Sequence, residues 1–152
     1  MNFGEENAMN NFSWTSNSEV VLPDLDYTIV ENWLCDVARR HEKLIGDINY
    51  TFCNDEQILA TNREFLNHDY YTDIITFDRC MGSLLRGDIV ISLDTVESNA
   101  IANHQPYDIE LYRVIVHGLL HLCGINDKGP GERKVMEQEE DSALSLLRDY
   151  LK

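Results

Sequence analysis

Positive charge is scarce in this sequence. Twelve lysines and arginines face 27 aspartates and glutamates, which leaves a formal net charge of −15. A protein that grips nucleic acid along its phosphates ordinarily carries a basic field. Any such role here therefore requires a local cationic patch, a bound metal or a docking partner. Cysteine pairing is also missing: Cys35, Cys53, Cys80 and Cys123 form no C-x-x-C. The expectation is four reduced, buried thiols packed as small hydrophobes, with no disulfide framework.

Long hydrophobic runs are absent too. The longest apolar stretch, 114–123, is broken by His117, Gly118 and His121, and falls well short of the roughly 20 residues a membrane helix needs. The opening MNFGEENAMNNFS has neither the basic segment nor the apolar core of a secretory signal, so a cytoplasmic location and no membrane partner are expected. No low-complexity tract or internal repeat interrupts the chain. What is present is 152 residues, 43% hydrophobic and 26% charged, the size and balance of one globular domain.

Hydrophobic spacing predicts the elements. The run EVVL within 20–30 predicts a short strand before Pro23. Ile29, Val30, Trp33, Leu34, Val37 and Ala38 fall at helical spacing, and the helix is expected to end in Arg39, Arg40 and Lys43, with Gly46 as its stop. INYTFC alternates as a strand. Asn54 or Asp55 caps a helix whose expected core face is Ile58, Leu59, Phe65 and Leu66. DIITF (73–77) and DIVISL (88–93) predict two strands of a hairpin joined by a long loop that holds Cys80 and Gly82 and runs through Gly87. Asp94 and Glu97 have capping-box spacing for a helix reaching about His104.

Pro106 then separates a helix carrying Leu111, Val114, Ile115, Gly118, Leu119 and Leu122, which Gly124 terminates. A last helix covers Glu132 to Tyr150, with Val135, Met136, Ala143, Leu144 and Leu147 turned inward. Strands early and helices late give an α+β fold, with a single mixed sheet of about four strands and helices packed against it.

Within the penultimate helix the sequence reads HGLLHLCGIND. His117 and His121 are four residues apart, one turn of helix, so both imidazoles point the same way. The rest of the circumference is apolar, as expected of a buried helix that offers ligands into a cleft. Gly118 is a poor helix former by about 1 kcal/mol against alanine, which suggests close approach by the sheet or a substrate. After Gly124 turns the chain, Asp127 lies within a loop's reach of both rings. Two imidazoles and one carboxylate with a fourth position open make a catalytic zinc arrangement on this central helix. A zinc protease carries its general base directly after the first histidine, H-E-x-x-H. Gly118 occupies that place and cannot take a proton, so peptide hydrolysis by that route is disfavoured. His41, His68 and His104 are expected at the surface.

These residues, with YTDIITF and GDIVIS upstream and Met136 and Glu140 downstream, resemble the YbeY family of bacterial endoribonucleases that mature ribosomal RNA. The likeness covers about 48–141 and rests on a signature of the form H-G-x-L-H-L-x-G-Y-D-H. It implies a single α+β domain over 1–152, one zinc ion, cytoplasmic cutting of single-stranded RNA, and work in ribosome biogenesis and quality control, including 16S 3′-end maturation. Ribosomal RNA, ribosomal subunits and ribosomal proteins are the implied partners.

Two departures stand out. The family's third ligand is histidine, where this chain has Asp127. The ligand set becomes two neutral groups and one anion, which lowers the Lewis acidity of the ion and admits harder divalent metals. The family's arginine ahead of the T-D strand is matched by Leu66. Arg63, one turn earlier on nearly the same face, either partly replaces it as an RNA contact or is a solvated surface arginine.

Thr72 and Asp73 either orient substrate or cap the strand. No general base is identified, and water or the RNA's own 2′-hydroxyl can be the nucleophile. Two alternatives stay open: a non-catalytic ribosome assembly factor with a structural metal, and a metallohydrolase of a smaller phosphoester.

Overall fold

The computed structural model describes residues 11–67 and 72–152. The expected surface position of His68 lies outside them. Chain order runs β1 (Asn11–Ser16), α1 (Tyr27–Arg40), β2 (Leu44–Cys53), α2 (Asp55–Phe65), β3 (Ile74–Asp78), β4 (Leu84–Ser92), α3 (Leu93–Ala102), α4 (Tyr107–Leu122) and α5 (Glu132–Tyr150). The described strands form one mixed sheet in the order β1-β2-β4-β3, as the α+β reading expects. β1 and β4 both run parallel to β2, and β3 is antiparallel to β4.

The first strand is not the one expected. Val21 is 86% exposed, and EVVL lies outside the sheet, with Glu19 in a turn at φ 70. The strand is NFSWTS, whose Trp14 pairs in register with Tyr50 and stacks on its ring at 4.4 Å. A contact 36 positions away selects this strand, beyond the reach of local propensity.

Gly46 does not stop α1. The helix ends on the His41 cap, with Glu42 in the left-handed region at φ 60, and Gly46 lies inside β2 at a register shift between Ile45 and Asp47. A bulge explains that glycine.

Other boundaries move for local reasons. Ser92, not Asp94, caps α3, accepting from the Thr95 amide at 3.4 Å. Asp94 instead accepts from the Asp55 amide at 3.1 Å. Asn54 caps α2 through a full capping box with Gln57. β4 begins at Leu84, so the hairpin connection is short and Gly87 is within the strand. Phe65 and Leu66 are exposed at 63% and 40%, leaving Ile58 and Asn62 as the buried residues of α2. Val135 is likewise exposed on α5, whereas Met136, Ala143, Leu144 and Leu147 are buried. All four cysteines are free thiols, though only Cys53 is fully buried. His41 is half-buried against Glu139 at 3.2 Å, and His104 is exposed.

The core lies between the sheet and α1, α4 and α5, where Trp33, Leu34, Tyr50, Phe52, Ile115 and Leu119 are fully buried. Each such aliphatic or aromatic side chain contributes about 1.5–3 kcal/mol through burial. Their polar atoms are satisfied across elements: the Trp33 indole donates to the Ala143 carbonyl and the Tyr50 hydroxyl to the Ile115 carbonyl, both at 2.8 Å. These bonds tie α1 to α5 and β2 to α4. α4 is thereby held at the centre, packed against β3, β4, α1, α3 and α5. No described helix is long and apolar enough to cross a membrane.

Candidate metal centre

The site begins with the close seating of α4 on the sheet. A methyl group added at Gly118 would meet Ile74 and Ile89 side-chain atoms at 3.0 Å. The glycine between the two histidines therefore accommodates the sheet. α4 ends in a Schellman turn: the Gly124 amide donates to the His121 carbonyl at 2.9 Å and the Ile125 amide to the Leu120 carbonyl at 3.1 Å. Gly124 takes φ +97 to close it, a conformation that strains residues with a side chain. That reversal returns the chain to the histidines.

The result is a convergence of three ligand-type side chains. Asp127 Oδ2 lies 3.4 Å from His117 Nε2 and 3.5 Å from His121 Nε2. One donor atom from each of the three residues lies within 4.8 Å of the others. Tetrahedral zinc with ligand bonds of about 2.0–2.2 Å has ligand–ligand edges of roughly 3.3–3.6 Å. The two aspartate–histidine separations have that span, so the donor set fits a divalent ion in both chemistry and spacing.

Glu140, on α5, completes the arrangement. Its Oε2 is 2.6 Å from His117 Nδ1, and its Oε1 accepts from Arg113 at 2.9 Å. The second guanidinium nitrogen of Arg113 donates to Asp141 at 3.0 Å. A carboxylate on Nδ1 selects the tautomer whose Nε2 lone pair is free to bind a metal.

The two imidazoles titrate apart. Burial opposes the charged form of His117, but the Glu140 hydrogen bond and the charges of Glu140, Asp127 and Asp73 outweigh it and raise its pKa. Burial and then the neighbouring His117 lower that of His121, against the pull of Asp127.

Beside the triad opens a cleft of about 690 Å³. Its charged lining is acidic: Asp73, Glu110, Asp127, Glu137, Glu140 and Asp141 face only the guanidinium groups of Arg113 and Arg133. Asp73 accepts from the Asn99 side-chain amide at 3.3 Å, and burial raises its pKa, against the pull of His117. Thr72 does not line the cleft; its hydroxyl donates to the Ile74 carbonyl at 3.3 Å. Arg63 is on an exposed face of α2 and is not among the cleft-lining residues.

The structure brings His117, His121 and Asp127 together. Sequence reasoning assigned no role to Arg113, Glu110 or Glu140. A signal existed for each. Arg113 and Glu110 precede His117 by four and seven positions, on the same helix face, and Glu140 is a carboxylate within the buried stripe Met136–Glu140–Ala143–Leu147.

Comparison with known proteins agrees with this geometry. The family profile described as "Endoribonuclease YbeY" matches residues 15–148. The endoribonuclease YbeY of Phocaeicola vulgatus is 57% identical over 128 residues, covering 84% of this chain and 93% of that protein. That of Porphyromonas gingivalis strain W83 is 52% identical over 132 residues, covering 87% of each. A solution structure of a Thermotoga maritima protein shares the fold with a TM-score of 0.60 at 23% identity, covering 90% of this chain and 88% of that one. With the profile spanning nearly the whole sequence and the ligand-type residues converging in space, the chain belongs to the YbeY endoribonuclease family.

Proposed function

We propose that this protein is a metal-dependent endoribonuclease that cuts single-stranded RNA in ribosomal RNA processing, including 16S 3′-end maturation. It acts as one domain, in the cytoplasm, within ribosome biogenesis and quality control. The observation that carries the reading is the convergence of His117, His121 and Asp127 at ligand-edge distances beside an open cleft. These three residues would hold one divalent ion, with zinc the expected metal and a harder ion admitted by the aspartate. The ion, when bound, supplies Lewis acidity to the scissile phosphate.

The remaining work falls to the chain itself. Glu140 keeps His117 in the metal-binding tautomer, and Arg113 anchors Glu140 from its other oxygen. The imidazole and carboxylate orientations are thus set before substrate arrives. Arg63 is retained as an RNA-backbone contact outside the cleft.

The test is elemental analysis alongside cleavage of a single-stranded RNA. Wild type should hold about one ion per chain and lose cleavage in chelator, while Asp127→Ala should retain little metal and little activity. Cleavage that persists in chelator, or in Asp127→Ala freed of metal, would overturn the proposal.

The net charge of −15 supports a second reading, an assembly factor docked on basic ribosomal proteins. In that case His121→Ala would still associate with ribosomal subunits and still support their maturation in cells.

A further inference from the structure

Glu110 has no role in the metal centre, yet its environment is unusual. It is 6% exposed, and its side chain faces the cleft beside His117. Its carboxylate has no hydrogen bond or salt bridge to any described residue. Arg113, the nearest cation in sequence, spends its donors on Glu140 and Asp141. Burial raises the pKa of Glu110 against the pull of the Arg113 charge, and the charges of Asp73 and Glu140 add to the rise. Placement in the first turn of α4 suits the helix dipole. Exposed Asp108, in the same turn, serves that purpose without burial. The residue is buried while its unpartnered carboxylate opens onto the cleft, so its free acceptors point to a ligand bearing N–H donors.

The charge of the cleft limits which part of an RNA can enter. Away from the ion that Asp127 would help hold, carboxylates outnumber guanidinium groups and disfavour phosphate. A nucleobase is neutral, flat and edged with hydrogen-bonding groups, and roughly 300–1,000 Å³ is the usual size of a small-molecule pocket. Beyond the carboxylates, the cleft is lined by three side-chain amides, Asn99, Asn103 and Gln105. Amides both donate and accept, as base edges require.

Among the four bases, guanine alone sets two N–H groups side by side, N1–H and N2–H, which match the two oxygens of a carboxylate. Adenine and cytosine place an acceptor beside their amino group, and uracil flanks one N–H with two carbonyls. We propose that the cleft is a guanine subsite, in which Glu110 accepts from N1–H and N2–H and the neighbouring amides contact the remaining edge. Glu110 is then a specificity-determining residue. The inference rests on the endoribonuclease reading and adds the base that reading leaves open.

The experiment uses metal-loaded full-length protein and single-stranded oligoribonucleotides that carry one guanosine, or inosine, adenosine or cytidine in its place. Wild type should cut at a constant offset from the guanosine. Inosine, which lacks the N2 amino group, should reduce cutting about fivefold or more, the discrimination expected of a lost bidentate contact. Glu110→Gln should bring guanosine and inosine to within about twofold of each other. Asn103→Ala, a change at an exposed position, should weaken the guanosine preference if Glu110→Gln fails to fold.

Binding of 5′-GMP and 5′-IMP to the metal-free protein, followed by backbone amide NMR shifts, gives a readout independent of cleavage. Cutting of every oligonucleotide at equal rates, or a preference that survives Glu110→Gln, would overturn the subsite. Failure to cut any RNA, with GMP still favoured over IMP at the cleft, would overturn the nuclease reading and leave the subsite standing.

Discussion

At the scale of single residues, the candidate metal centre depends on a contact that carries no ligand atom. Glu140 reaches His117 at 2.6 Å while Arg113 holds its other oxygen at 2.9 Å. Removing the negative charge leaves the three ligands in place and loosens the control of the His117 tautomer. Glu140→Gln is therefore expected to fold and to bind metal about 10–100-fold more weakly, the range for loss of a carboxylate behind a metal-bound histidine. Competition against a chromophoric chelator measures this directly. Wild-type affinity in the variant would show that the tautomer is set by something else. Much of this centre was legible beforehand, since a four-residue histidine spacing on a helix determines a shared direction for both side chains. Glu140 was not legible as a partner, because its 23-residue separation from His117 is bridged only by the packing of α5 on α4.

Elements were legible where local chemistry repeats and obscure where a distant partner decides. α5 has the expected bounds because its apolar residues recur through 19 positions. β1 was missed because its pairing partner is β2, beyond an intervening helix. The β3–β4 hairpin was anticipated, and the structure adds an ion pair that stabilises it.

Arg79, just past β3, donates to Asp88 of β4 at 2.9 and 3.2 Å, and Asn49 of β2 donates to the same carboxylate at 2.9 Å. The Arg79 hydrogen bond, aided by Asn49, holds the Asp88 carboxyl below the usual carboxylate range. A depressed folded pKa means that this stability is complete above the unfolded value of about 3.9 and is lost as pH falls through the folded value. Asp88→Asn should thus melt below wild type at pH 7, and the difference should shrink as pH drops under about 4. Thermal melts across a pH series would reveal it, and a gap undiminished at pH 2 would count against the pair.

For the whole molecule, the candidate metal centre couples three pieces of chain: α4, the loop after it, and through Glu140 the helix α5. An ion that binds only the folded arrangement stabilises it by RT ln(1 + [L]/Kd), about 2.7 kcal/mol at a hundredfold excess over Kd. Chelator should accordingly lower the melting temperature of wild type, by roughly 5–10 °C at such an excess for a chain this size. Asp127→Ala should melt nearly alike with and without chelator. Differential scanning calorimetry at several zinc concentrations would test this, and a melting temperature independent of zinc in wild type would contradict a centre that links these elements.

The acidic character of the whole chain has its local counterpart in the cleft, where carboxylates outnumber guanidinium groups. Composition alone indicated the sign but not where the charge gathers.

By itself, the sequence determined the helical and β periods, the turn glycine after α4 and the alignment of His117 with His121, because each depends on neighbours within a few positions. Only the tertiary structure decided that NFSWTS is a strand, that Asp127 comes within 3.5 Å of both rings, and that Glu140 is paired while Glu110 is not. Those outcomes depend on which distant side chains share a low-dielectric interior, and three-dimensional packing alone sets that.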